Sequence, residues 1–143
     1  MKVSTILTGK AVATIKPEAS LKELAQKLAE LKIGALVVSS NGESIAGIVS
    51  ERDIVRAISN KFDSFHNLQV KDIMTVDVLS CTKDSTFAEL MILMTQKRIR
   101  HVPVVDEKGL LLSIVSIGDV VKNHISEIDG ERAALIDYVK SAG

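Results

Sequence analysis

Ile48-Val49-Ser50-Glu51-Arg52-Asp53 decides how this chain is read, because it returns as Ile114-Val115-Ser116-Ile117-Gly118-Asp119. The offset of 66 residues holds well beyond these two stretches. Val12 falls on Val78, Glu23 on Glu89, Leu24 on Leu90 and Ile33 on Ile99. Further on, Val38 meets Val104 and Val55 meets Val121, and no gap is needed between residues 12 and 59. Two copies of one unit pack about a pseudo-two-fold axis, as symmetric partners do. The interface between them is a preferred place for small-molecule pockets.

Each copy reads as strand, helix, strand, turn, strand, helix. The first strand is Val12 to Ile15, matched by Val78 to Cys81. Ser20-Leu21-Lys22-Glu23 and Thr86-Phe87-Ala88-Glu89 have capping-box spacing. In such a box the hydroxyl takes the N3 amide and the carboxylate returns to the cap's own amide. The helix that follows is expected to bury Leu21, Leu24, Ala25, Leu28 and Leu31, and its counterpart Phe87, Leu90, Met91 and Met94, since these positions recur three and four apart. The β-rich runs Ala35 to Ser39 and Val102 to Val105 lead into turns at Ser40-Asn41-Gly42-Glu43 and Asp106-Glu107-Lys108-Gly109. Asn-Gly predicts a tight hairpin. Third strands run to Val49 and Val115, and closing helices start near Glu51 and Ile117. The strands are almost continuously apolar, which predicts sheets covered on both faces.

The fold expected is α+β: two pseudo-symmetric β-α-β-β-α motifs packed through their sheets, with a C-terminal helix. Residues 1–61 hold the first motif with an N-terminal lead-in, 62–69 a polar linker, 70–126 the second motif and 127–143 the C-terminal helix. The lead-in Val3-Ser4-Thr5-Ile6-Leu7-Thr8 echoes Val70-Lys71-Asp72-Ile73-Met74-Thr75. Beyond Gly130, Ala134, Leu135, Tyr138 and Val139 make an apolar stripe. A helix carrying such a stripe must dock on its own chain or another.

Composition narrows the function. A chain of 143 residues with 46% hydrophobic and 25% charged content is ordinary for one globular domain. Its 18 basic and 18 acidic residues cancel, so bulk electrostatics does not favour a nucleic-acid polymer or a membrane surface. Aromatic content of 3%, with no Trp, removes the stacking platforms of a single-strand binder. The lone Cys81 excludes an internal disulfide and a thiolate metal cluster, and reads as a small buried hydrophobe. No signal peptide or membrane span is evident, so a cytoplasmic location is expected. No Gly-rich phosphate loop, HExxH or Gly-x-Ser-x-Gly elbow is present, and no enzyme activity is expected. No metal-ligand spacing accompanies His101.

These residues resemble a tandem pair of CBS domains, the Bateman module, over nearly the whole chain. The resemblance rests on Asp72-Ile73-Met74-Thr75, Arg100-His101-Val102-Pro103-Val104-Val105, Gly47 through Asp53, and Ile114 through Asp119. It implies a regulatory module that binds an adenosyl ligand, with AMP, ADP, ATP or NAD favoured and S-adenosylmethionine an option. It also implies a homodimer that signals to another protein. The copies depart from each other where Val37 stands against Pro103 and Gly47 against Ser113.

Ser50-x-x-Asp53 and Ser116-x-x-Asp119 stand at strand ends where helices begin. A helix start offers free amides suited to phosphate, and the aspartate suits ribose hydroxyls. The same spacing is also a capping box, and the two roles are compatible. Arg52, Arg100 and His101 are the candidate phosphate ligands, with Arg98 either a site residue or a solvated charge. By the resemblance, Thr14, Ile15, Lys16, Ala35 and Leu36 line an adenine slot. Ser80, Cys81, Thr82, Val102 and Pro103 line its relative. The alternative is a ligand-free scaffold or oligomerisation protein that acts through its terminal helix.

Overall fold

A computed structural model describes residues 1–9 and 11–142. Strands β1 (Thr14–Ile15), β2 (Ala35–Val38) and β3 (Gly47–Ser50) form one sheet, with β1 parallel and β3 antiparallel to β2. Helices α1 (Leu21–Leu31) and α2 (Glu51–Asn60) complete this unit. The second unit has α4 (Phe87–Lys97), the antiparallel pair β4 (His101–Val105) and β5 (Leu111–Ser116), and α5 (Ile117–Ala142). Between them lies the single turn α3 (Val70–Ile73). The first strand expected in each copy is shorter than its apolar run. In the first unit it keeps two residues, and in the second only a bridge between Cys81 and Val104. The bonding is nonetheless equivalent: Ser39 N donates to Ile15 O and Val105 N to Cys81 O, both at 2.9 Å.

The helices start where the sequence places them. Ser20 Oγ accepts the Glu23 amide at 3.0 Å, and Thr86 exchanges both bonds with Glu89 at 3.2 and 3.3 Å. Leu21, Leu24 and Leu28 are buried, but Ala25 and Leu31 are exposed. The stripe on α1 is therefore narrower than expected, because the sheet it covers is only three short strands wide. Phe87, Leu90 and Met94 are buried on α4, with Met91 partly so. Asn41-Gly42 does not make a tight hairpin. Val38 pairs with Gly47, so residues 39–46 form a longer loop. There Asn41 Oδ1 accepts the amides of Glu43 and Ser44, both at 2.9 Å, and Gly42 takes a φ of +80°.

Two apolar cores result, and each is completed by a segment that precedes the other unit. Val3 is fully buried among Cys81, Phe87, Leu90 and Val102 of the second core. Its amide donates to Ser85 O at 2.8 Å, and the Ser4 amide to Lys83 O at 2.9 Å. Val70 is fully buried among Ile15, Leu24 and Val49 of the first core. Its amide donates to Ala19 O at 2.9 Å, and that of Lys71 to Pro17 O at 2.9 Å. The N-terminal lead-in, expected with the first motif, is thus built into the second. The 62–69 stretch is not a free tether either, since Phe65 and Leu68 pack on the first core.

The C-terminal segment is not a separate helix. It is continuous with the helix that starts at Ile117, giving one helix of 26 residues. Its first turns bury Val120 and pack on α4, while residues 131–141 are all exposed. Gly143, the last residue of the expected helix, lies outside the described residues.

The exchange of lead-ins makes them structural. Val3→Ala and Val70→Ala should each lower the unfolding free energy by about 1.5–3 kcal/mol, as for other fully buried valines. Urea unfolding measures this. A loss below about 0.5 kcal/mol at either position would mean that its lead-in is not part of the core.

Candidate functional site

The corner between β3 and α2 forms one wall of a concave site. Ser50 is extended, with φ −127° and ψ 168°, and the helix starts at Glu51. Asp53, three residues on, folds back: its Oδ2 accepts the Ser50 amide at 2.8 Å and the Ser50 hydroxyl at 3.1 Å. Its Oδ1 lies 3.8 Å from Arg56 Nη1. The capping role is therefore real. A carboxylate has about four acceptor positions, so Oδ1 keeps capacity for a ligand hydroxyl. Ser116 and Asp119 repeat the arrangement, with bonds of 3.1, 2.9 and 3.2 Å.

The opposite wall comes from the second unit. Arg98, Ile99, Arg100 and His101 face the β3–α2 corner across a cleft of about 160 Å³. Gly34, Ala35 and Ser50 through Asp53 line the near side, with Arg56 one turn further along α2. The Gly34 carbonyl accepts the Glu51 amide at 3.0 Å, and the Arg100 carbonyl accepts the Ile117 amide at 2.8 Å. A Cβ at Gly34 would stand 3.3 Å from His101 Cε1 and 3.5 Å from Glu51 Oε1. Glycine there admits the imidazole beside the helix start. Thr75 closes one end of the cleft, bonded twice to Ile48 at 2.9 and 3.0 Å. That pairing explains Gly47. A side chain there would meet Thr75 O at 2.7 Å and Met74 Sδ at 2.8 Å. A second groove of about 350 Å³ shares Asp53, Arg56 and Thr75 and continues past Lys61 and Asp72.

Of the expected site residues, Ala35, Ser50, Arg52, Asp53, Arg100 and His101 come together here. Thr14 sits in β1, paired with Val37, and its carbonyl accepts Lys27 Nζ. Lys16 is exposed just beyond that strand. Val102 and Pro103 are buried inside β4. Ser80 and Thr82 are exposed on either side of Cys81, and Ser116 and Asp119 cap α5. These residues lie outside the cleft. Arg56 and Thr75 were not anticipated. Arg56 was detectable, since it shares a helix face with Asp53 at i+3. Thr75 reaches the site only through the exchange of lead-ins, which local pattern does not report.

Burial pushes Cys81 up to about 11, as expected of an inert core thiol. Burial also lowers His101 from its ordinary value. Glu51 opposes that shift, Arg100 reinforces it and Asp119 opposes it. Among the described residues no helix is long and apolar enough to cross a membrane.

The family model of the CBS domain matches residues 3–60 and 70–125. The chain belongs to the CBS-domain family. It is 38% identical over 119 residues to a mitochondrial CBS domain-containing protein of Arabidopsis thaliana, covering 80% of this chain. The chain spans 57% of that relative's length. The crystal structure of a CBS-domain containing protein from Agrobacterium tumefaciens superposes with a TM-score of 0.81 at 39% identity, covering 87% of this chain and 99% of that one. Two further solved structures are each 25% identical to this chain. One is a CBS domain pair in complex with 5′-methylthioadenosine and S-adenosyl-L-methionine, with a TM-score of 0.78, covering 89% of this chain and 98% of that one. The other is a CBS protein in complex with AMP, with a TM-score of 0.75, covering 87% and 96%. The two motifs of the α+β fold are thus those of a CBS pair, and α5 runs on beyond the second match.

The lowered His101 sets a pH dependence. The folded protein binds fewer protons at this site than the unfolded chain, so stability is lost as pH falls below 6.5 towards the folded-state value. His101→Gln should lose less stability than the parent between pH 7.5 and 5. An NMR titration of the His101 ring should show a midpoint below 6.5. A midpoint above that would reverse the sign and refute the burial.

Proposed function

We propose that this chain is a regulatory module that binds an adenosyl ligand in the cleft between its two CBS motifs and relays occupancy to a partner protein. The observation that carries this reading is the joint construction of the cleft. One wall is the β3–α2 corner of the first motif and the other is Arg98 to His101 of the second. A ligand held by both walls senses their relative position, and it shifts that position only through differential binding. Asp53 Oδ1 would take the ribose hydroxyls. Ser50, the amides at the start of α2, Arg52, Arg100 and His101 would take phosphate. Ala35 would flank the base, while Thr14 and Lys16 stand outside the cleft. Ser80, Thr82, Val102, Pro103, Ser116 and Asp119 are the corresponding set of the second motif. The ligand class comprises AMP, ADP, ATP, NAD and S-adenosylmethionine, and it is supported by two solved relatives, one in complex with 5′-methylthioadenosine and S-adenosyl-L-methionine and one with AMP.

AMP has about 23 non-hydrogen atoms, and roughly 0.3 kcal/mol per atom puts its dissociation constant on the order of 10 μM. Calorimetry with these five ligands should find one tighter than about 1 mM. Asp53→Ala should weaken that ligand by about 1.5–3 kcal/mol, and Asp119→Ala should have a different effect. Loss of the cap will also destabilise each helix by about 0.5–2 kcal/mol, so folding is measured separately. Failure of all five ligands would leave the scaffold reading in place.

We also propose a homodimer through the distal half of α5. Leu135, Tyr138 and Val139 are 63%, 71% and 61% exposed there, on a stretch too short to be stable alone in water. Two-fold self-pairing is the commonest way such a face is covered. Leu135→Glu with Tyr138→Glu should yield a monomer that still binds ligand, as read by sedimentation. An unchanged dimer would move the self-association surface to the CBS motifs.

A further inference from the structure

An apolar seam runs along both halves of α5, not only the distal one. Val121, Ile125, Ile128, Arg132, Leu135 and Val139 follow one another at intervals of four, three, four, three and four residues. That is the a/d spacing of a coiled coil, in which each helix sets a row of knobs into the holes of its mate. Arg132 is the one polar residue among them. Ile125, Ile128, Leu135 and Val139 are 53%, 49%, 63% and 61% exposed, although Val120 on the same helix is fully buried in the second core. Positions off the seam in the distal half read differently, since Ala133, Ala134, Asp137 and Lys140 are small or charged. Ile136 and Tyr138 lie at the flanks of the seam and widen it. The seam is thus turned to solvent along a helix whose inner side is already packed.

We infer that α5 pairs along this seam with α5 of a second copy, antiparallel, and that Arg132 fixes the register. The inference rests on the homodimer proposed above and gives it a geometry. A single polar residue at such a position specifies register and strand number at some cost in stability. In a parallel pair Arg132 would meet the partner's Arg132, charge against charge. A parallel pair also favours Leu at the d positions, where this chain has Val121 and Ile128 ahead of Leu135. Reversing one helix about a two-fold axis removes both conflicts. Val121 then packs on the partner's Val139, Ile125 on the partner's Leu135, and Ile128 on the aliphatic stem of the partner's Arg132. The guanidinium leaves the seam beside Asp129 of the facing helix. A long side chain so placed covers apolar surface while its head stays hydrated. Each distal half, which packs on no core of its own, is laid on the proximal half of its mate, which does.

The test is disulfide trapping and sedimentation on the full chain. Cys81 is buried, so an introduced cysteine reports alone. Ile125→Cys and Leu135→Cys should each fail to link to themselves and should link to each other when the two variants are mixed. Antiparallel pairing brings those two positions together and holds each about 15 Å along the axis from its own copy. Ile125→Glu should weaken the dimer about tenfold or more, although it lies in the proximal half, because pairing would bury its charge. Arg132→Leu should tighten the dimer about tenfold or more. Ile125→Glu should match the parent's melting temperature once both are diluted to monomer, which separates loss of pairing from loss of folding. Self-linking by either cysteine variant would overturn the antiparallel orientation, and a trimer or tetramer would overturn the two-stranded pairing. An Arg132→Leu dimer no tighter than the parent would take Arg132 out of the seam. A dimer that survives Ile125→Glu but not Leu135→Glu with Tyr138→Glu would overturn the full-length seam and leave the distal homodimer standing. A parent chain that stays monomeric at millimolar concentration would sink the seam and the homodimer together.

Discussion

The burial of Val3 in the second core and of Val70 in the first is the interaction on which the rest of the fold depends. A sheet of two or three short strands with two helices leaves one side of each core open, and the chain closes each with the lead-in of the other. This ties the two motifs more firmly than surface contact would. It also places Thr75, at the end of the second lead-in, against Ile48 in the first motif's sheet. The cleft has a fixed floor because that pairing cannot form without its lead-in docked. Gly47 is part of the same constraint, since only a residue without Cβ lets Thr75 approach.

The same economy appears at the helix starts. Asp53 holds the Ser50 amide with one oxygen and presents the other to the cleft. A residue committed to the fold by its cap is thereby oriented before any ligand arrives, which spares the ligand the cost of ordering it. His101 is positioned in a comparable way. Its imidazole lies where a Cβ on Gly34 would intrude, and the resulting burial keeps it neutral at pH values where a free histidine would begin to charge.

Much of this was legible in the sequence because burial repeats. Apolar spacing in Leu21-Leu24-Leu28 and Phe87-Leu90-Met94 predicts which faces are inside, and the structure buries those six. Spacing says nothing of which copy a segment packs against, so the lead-in exchange was missed. The sequence reading also overestimated local order. Asn41-Gly42 has hairpin chemistry, yet Asn41 uses its carboxamide to gather Glu43 and Ser44 amides into a wider loop. Likewise, the apolar stripe beyond Gly130 suggested a helix apart, whereas Gly130 is tolerated in an exposed stretch of one continuous helix. In the site, Ser50 and Asp53 were legible as a strand-end pair. Arg98 was undecided because exposure of a lone arginine cannot be read from its neighbours in sequence.

Arg100 joins the site to the rest of the molecule. Its side chain lines the cleft, and its carbonyl accepts the first amide of α5 at 2.8 Å. Gly34 plays the matching part for α2, accepting the Glu51 amide at 3.0 Å. α2 and α5 are thus each anchored at their start to the residue that precedes a neighbouring strand. In the proposed relay a shift of residues 98–101 would reach a helix of 26 residues, about 39 Å long. The proximal turns of that helix are held by α4 and Val120, so it moves with the second core rather than bending freely. Its distal half extends beyond that core and exposes Leu135, Tyr138 and Val139. A small rotation at the cleft would become a larger displacement at those side chains, because they stand far from the anchored end. The proposed relay would need only one backbone hydrogen bond and one continuous helix, with no rearrangement inside either core.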